Sequence, residues 1–329
     1  RKEIERVNEP LLQTALDGAA DCAEGTLLYR RGEYGRLLEF YLQDELGIAR
    51  DRFDQRYPGA RERAFALLKE GEEKLSNAVA QWEAESAASP SARGRLRQYR
   101  RLLGESKFRV GELLMLNEEF DDLPGHSGAF SHLQAAIDLT APDGDSYRHD
   151  NAVQSYINAL YFAGKYDHPD TLRQRKAYQQ QLEAKLNSPG AQAHLAIMCR
   201  LRIVQGDAIF SACFERQQKS EQDYTYLPRS GRPPSIRLLR AMLRYYVEAC
   251  NFMAQHSAKN FAAAARVIQR RIKLIADKES LRIIQRGFVD VWTDQPFLKE
   301  RGDEMETLIQ FANLRSIMLS RSNSDAEAR

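Results

Sequence analysis

The stretch 24–42, EGTLLYRRGEYGRLLEFYL, reads as one helix, a turn at Gly32, Glu33 and Tyr34, and the start of a second helix. The same grammar returns from Ile157 as INALYFAGKY. Small and aromatic residues at fixed distances from a Gly-x-aromatic turn are how two antiparallel helices pack closely. Repeating such a pair gives a helical stack, each unit burying its apolar face against the next. The rest of the chain agrees. Leu, Ala, Arg, Glu and Gln recur throughout, and no region sustains the period-two alternation of β-branched residues that marks strands.

Pro10, Pro58, Pro90, Pro142, Pro189 and Pro296 punctuate the apolar-periodic segments at or near expected helix starts. The expected helices are 10–31, 34–56, 59–87, 92–118, 128–140, 147–164, 169–187, 190–205, 207–223, 235–256, 259–276, 279–294 and 297–320. Gly32, Glu118, Gly164 and Gly206 each precede an aromatic residue or Ala that opens the next segment, which suggests a helix-pair unit of ~40–45 residues. AESAASPSARGR (84–95) reads as an exposed loop, and TYLPRSGRPPS (225–235) is too rich in Pro and Gly to be helical throughout. The expected organisation is an all-α fold: an irregular solenoid of helical hairpins over 1–224, a Pro/Gly/Arg loop at 225–235, a helical bundle over 236–320 and a disordered tail at 321–329.

A chain of 329 residues is long enough for two domains or one extended solenoid. With 43% hydrophobic and 29% charged residues it reads as ordered and soluble, and a net charge of +2 excludes a globally polybasic nucleic-acid coat. No apolar run approaches the ~20 residues of a membrane span. The first ten residues, RKEIERVNEP, have no initiator Met and no apolar signal segment, as expected of a fragment of something larger. Cys22, Cys199, Cys213 and Cys250 form no CxxC pair and fall in apolar helical windows, so they are expected as core thiols. No Asn-x-Ser/Thr sequon occurs, and an intracellular location is expected.

The 24–42 stretch resembles a tetratricopeptide repeat through Gly25, Leu28, Tyr29, Gly32, Tyr34 and Tyr41. INALYFAGKYDHP is similar through Leu160, Tyr161, Gly164 and Tyr166, and CRLRIVQGDAIFSACF is a weaker third match. Leu37 and Pro169 stand where the motif has Ala. The resemblance implies stacked helical hairpins with a concave groove. In members that grip a carboxyl terminus, an Asn six residues before the turn Gly faces that groove. Asn158 stands at that distance from Gly164, Gln154 lies one turn earlier where those members carry Lys, and Thr26 takes the equivalent place in the first repeat. The resemblance therefore implies a polar peptide contact at Asn158, Gln154 and Thr26. An inter-helix hydrogen bond is the competing reading of Asn158.

Catalytic signals are few. PGHSGAF nearly matches a nucleophile elbow, but Ala129 replaces the last Gly and no strand precedes it, so His126 and Ser127 read as part of a flexible Gly-rich loop. Asp121, Asp122 and His126 would form a metal site only through loop geometry. No phosphate-cradling glycine loop is present. Neither a cofactor nor a metal is expected, and the chain reads as a non-enzyme.

Arginine stripes are the stronger signal. Arg93, Arg97, Arg100 and Arg101 lie on neighbouring turns of one expected helix, and Arg95 lies further round. Arg237, Arg240 and Arg244 follow an i, i+3, i+7 pattern, and Arg266, Arg270 and Lys273 make a third stripe. Such rows hold acidic peptide or phosphate through charge-assisted hydrogen bonds, or are solvated faces paired with neighbouring carboxylates. VIQRRIKLIADK and IIQRGFVDVW faintly resemble calmodulin-binding segments but read as amphipathic helices. The leading expectation is an interaction scaffold or adaptor that holds a peptide or partner helix at Asn158, Gln154, Thr26, Arg97, Arg100, Arg101, Arg237, Arg240 and Arg244. A regulatory segment of a multidomain protein is an alternative. Nucleic-acid binding through the stripes is another, weakened by the lack of interleaved aromatic residues.

Overall fold

The structure, a computed structural model, describes residues 60–85, 90–141, 146–187, 192–218, 224–256 and 258–298, with 301, 303, 305, 306, 309 and 310 beyond them. The expected helices 10–31 and 34–56, the 24–42 repeat motif with Thr26 and Cys22, most of 297–320 and the tail lie outside the described residues. The chain divides into two compact units, Arg1–Ala184 and Lys185–Arg329.

In the first unit the described helices are α1 (Ala60–Glu85), α2 (Pro90–Leu116), α3 (Ala129–Thr140), α4 (Ser146–Phe162) and α5 (Pro169–Ala184). Pro90 and Pro169 open their helices, where a missing N–H costs nothing. Gly164, at φ 68°, closes α4: its N–H reaches the Tyr161 carbonyl at 3.1 Å and Lys165 N–H reaches the Leu160 carbonyl at 2.8 Å. This is a Schellman closure. Glu118 closes α2 in the same way at φ 63°, with Glu119 N–H bonded to the Leu114 carbonyl at 2.9 Å.

Consecutive helices run antiparallel. Arg100 of α2 bonds Glu83 of α1 at 2.7 Å, and the later Lys107 bonds the earlier Glu72 at 2.7 Å. Gly104 lies against Thr140 and Gly111 against Leu133, so α3 returns along α2. Tyr156 of α4 meets Phe130 near the start of α3 and Tyr178 of α5, with ring centroids 5.7 Å apart in both pairs. Ser155 reaches past α3 to Glu112 of α2, donating at 3.3 Å.

The second unit opens with a short turn of 3-10 helix (Lys185–Asn187). It continues through α6 (Gln192–Cys213), strands β1 (Phe214–Gln218) and β2 (Tyr224–Pro228), and helices α7 (Ile236–His256), α8 (Ala258–Leu274) and α9 (Lys278–Thr293). Helix α7 is its hub and packs on α6, α8 and α9. Leu239, Leu243, Tyr246, Val247, Cys250 and Met253 form the buried side of α7, and Leu281, Ile284, Phe288 and Trp292 that of α9. Trp292 Nε1 donates to the Leu298 carbonyl at 2.9 Å. Ile268, Ile272 and Ile284 of the two IQ-like segments are core residues, and Cys199, Cys213 and Cys250 are buried free thiols.

Three expectations are corrected here. Gly206 is not a turn between helices 190–205 and 207–223; it lies within the single helix α6. An added Cβ at Gly206 would stand 2.6 Å from the Tyr246 ring, so the glycine serves the close approach of α6 to α7. The second half of the expected helix 207–223 instead includes β1, antiparallel to β2 with Arg216 opposite Tyr226. The run FERQQ has helical propensity, but pairing with the aromatic YTYLP overrides it. This hairpin departs from the all-α expectation, although helix dominates the described residues. Finally, 225–235 is not a division between units. Within the second unit, β2 bonds onward to the α8–α9 connection, where Ala276 N–H meets the Tyr226 carbonyl at 2.9 Å.

Replacing a mid-helix Gly by Ala ordinarily stabilises by roughly 0.5–1 kcal/mol. Gly206→Ala should instead destabilise by about 1–3 kcal/mol through overpacking on Tyr246. Gly94→Ala in α2, where an added Cβ meets nothing within 4 Å, should show the ordinary gain. Chemical denaturation of the two variants checks the contrast.

Candidate functional site

Helix α4 is enclosed along residues 152–160, with no exposed face in that stretch. Its polar side chains must therefore be satisfied inside the protein. Ser155 is, through Glu112, whose other oxygen accepts from Arg109 at 2.8 Å. Gln154 and Asn158 are not. Both have zero exposure, and none of their four side-chain polar atoms has a hydrogen-bond partner among the described residues. They stand one turn apart on one strip of α4, roughly 160° round the helix from Tyr156. Leaving a buried polar group unpaired costs about 1–3 kcal/mol, so this amide pair weighs against the stability of the fold.

Elsewhere in the first unit, three helices converge on one carboxylate. Glu72 of α1 accepts from Lys107 of α2 at 2.7 Å, and its second oxygen lies 3.2 Å from His132 Nδ1 of α3. That histidine contact is within ion-pair range but off the line of a hydrogen bond. Burial pushes the Glu72 carboxyl up, yet His132 and Lys107 outweigh it and hold the group down at about 2.

A second buried cluster lies in the other unit. Asp207 of α6 accepts from Tyr246 of α7 and from Arg271 of α8, whose Nε and Nη2 lie 3.1 and 3.0 Å away. The Arg271 guanidinium also covers the Phe210 ring at 5.0 Å. Burial and the Asp207 charge push the Tyr246 hydroxyl well above its ordinary range, keeping it a donor. Sequence reading missed both clusters. Their available signal was a polar residue at a core-phase position: His132 beside Leu133, Asp207 beside Gly206, Arg271 beside Ile272.

The remaining candidates separate by environment. Asn158 and Gln154 come together, but both are fully buried, and among the described residues neither makes the inter-helix hydrogen bond of the competing reading. Arg100 is paired with Glu83, and the exposed Arg97 and Arg101 also make contacts. Arg240 pairs with Asp290 of α9. Arg237 and Arg244 are exposed and without a partner among the described residues. The side chains of Arg266 and Arg270 lie outside the described residues, and Lys273 is exposed.

The Gly-rich loop is closed by its own bonds. Asp122 caps α3 by accepting from Gly128 N–H and Ser131 Oγ, each at 2.7 Å, which holds its carboxyl below the ordinary range. His126 lies 2.9 Å from Glu119, and Leu123 and His126 exchange backbone bonds at 2.9 Å. Asp121, Asp122 and His126, a metal site only if loop geometry gathered them, lie in a capped turn, with Asp121 paired to Lys165. Among the described residues no cluster of three or more His, Cys, Asp or Glu is placed to hold a metal. No helix there is long and apolar enough to cross a membrane.

The Glu72 cluster fixes an acid limb of stability. The folded group titrates near 2 against an ordinary 4.5, so its contribution is full above about 4.5 and is lost as pH falls through about 2. The difference is on the order of 3 kcal/mol. Glu72→Gln should flatten the pH dependence of stability between those values, as measured by urea unfolding at a series of pH values. Comparison with protein-family models, with curated proteins and with solved structures returns no match.

Proposed function

We propose that the chain is a protein-interaction module, acting by binding rather than catalysis, and that its first unit takes an extended peptide segment along α4. The observation that carries this reading is the unpartnered pair Gln154 and Asn158. Each side-chain amide offers one acceptor and two donors, the complement of a backbone peptide unit. Residues one turn apart on a helix are separated by about 6 Å. Like-facing peptide units of an extended chain repeat at about 6.6 Å. The two amides therefore match two successive like-facing units of one strand. The serial antiparallel packing of α1 to α5 supports the solenoid reading, and with it the tetratricopeptide-like hairpins. Buried free thiols at Cys199, Cys213 and Cys250 suit a reducing, intracellular compartment.

Because both amides are fully covered, a ligand reaches them through local opening. Association is then slow, below about 10⁵ M⁻¹s⁻¹. The test is a double variant, Gln154→Met with Asn158→Leu. Removing two unpaired buried amides should raise thermal stability by the equivalent of about 1–3 kcal/mol. The same change should abolish capture of peptides selected from a displayed random library on the unaltered chain. A variant that retains the selected peptides at unchanged affinity would remove the basis for the reading.

A further inference from the structure

Three arginine stripes look alike in sequence, but their surroundings differ. On α7, Arg240, Arg244 and Arg237 lie within about 60° of arc, opposite the buried Leu239, Met242 and Tyr246. Arg237 and Arg244, with Arg232 of the preceding turn, are exposed and unpaired among the described residues. The segment 228–244 contains no Asp or Glu. Ile236 and Leu238, 46% and 47% exposed, flank the stripe on its two sides.

We propose that this face of α7 docks an acidic amphipathic helix of a partner protein, with carboxylates on Arg237 and Arg244 and an apolar flank against Ile236, the nearer of the two exposed apolar residues to the row. The arginines are spaced by three and then four residues, about 10 Å along the axis. A partner helix with carboxylates at the same spacing lies in register with them. Arginine suits this role because its planar fork binds a carboxylate through two parallel hydrogen bonds. Arg240 is held by Asp290, so it positions the row rather than supplying a free charge.

A lipid surface fits less well. Ile236 and Leu238 stand on opposite flanks, and an interfacial helix needs one continuous apolar face. Nucleic acid also fits less well, because the stripe offers no free aromatic ring for stacking bases. Tyr246 is buried, and the guanidinium of Arg202 lies 5.7 Å from the Tyr245 ring.

This surface lies in the second unit and stands whether or not Gln154 and Asn158 bind peptide. The probe is a labelled helical peptide with Glu at i, i+3 and i+7 flanked by Leu, titrated with the full chain by fluorescence anisotropy at low salt. Arg237→Glu with Arg244→Glu should weaken binding at least tenfold, roughly the loss expected from reversing two contact charges. Circular dichroism should stay unchanged, and Asn158→Leu should leave this affinity intact. Absent binding, no loss in the charge-reversed variant, or equal binding of a scrambled peptide of identical charge would each overturn the proposal. So would tighter, arginine-dependent binding of a single-stranded oligonucleotide or a phosphatidylserine vesicle.

Discussion

The enclosure of α4 governs the first unit. A helix with one wet face leaves its polar residues to water and uses an apolar stripe to pack. Along residues 152–160 α4 has no wet face, so each polar group on it must be paired within the protein or remain unpaired at a cost. Ser155 passes its hydrogen bond to Glu112, and Glu112 in turn holds Arg109. Gln154 and Asn158 break the rule within a turn of a residue that obeys it. A fold that satisfies Ser155 across two helices has the means to satisfy the neighbours or to replace them with Leu or Met. Their unpaired state is the observation on which the peptide-binding proposal rests.

Charge inside both units ties together helices that apolar contact alone would leave free to slide. Glu72, Lys107 and His132 come from three successive helices, and Asp207, Tyr246 and Arg271 from three others. Buried ion pairs add little net stability compared with well-packed apolar residues, because desolvation offsets the attraction. Removing one partner is costly all the same, since the other charge is left stranded. Such clusters hold one register of helix against helix. Gly206 shows how tightly that register is drawn, because the ring that bonds Asp207 occupies the space where its Cβ would stand.

Local signals made much of the fold legible. Pro90 and Pro169 mark helix starts, Gly164 and Glu118 mark ends, and the spans of α1 to α5 and α7 to α9 agree with the apolar periodicity. What escaped was set by distant neighbours. Gly206 carries the same letter as Gly164 and serves the opposite purpose, interior packing rather than termination, because Tyr246 lies over it. The hairpin was illegible from FERQQ, whose strand conformation comes from its partner YTYLP and from the Ala276 bond beyond. In the candidate site, Asn158 and Gln154 were legible as a pair through the tetratricopeptide resemblance. Their burial was not, because it depends on what lies over α4.

The arginine stripes carry the same lesson into function. By spacing alone Arg97, Arg100 and Arg101 are as good a binding row as Arg237, Arg240 and Arg244. In the first row, Glu83 of the antiparallel neighbour takes up Arg100, and much of that row's charge is committed within the fold. In the second, Asp290 takes the middle residue and leaves the outer two exposed. A guanidinium already bonded to carboxylate must give up that pair before it binds another, so its gain from a new partner is only the difference between the two. An unpaired exposed guanidinium exchanges only water. Recognition capacity is thus decided by the acidic residues on adjacent helices, a property of tertiary structure that spacing along a single helix does not contain.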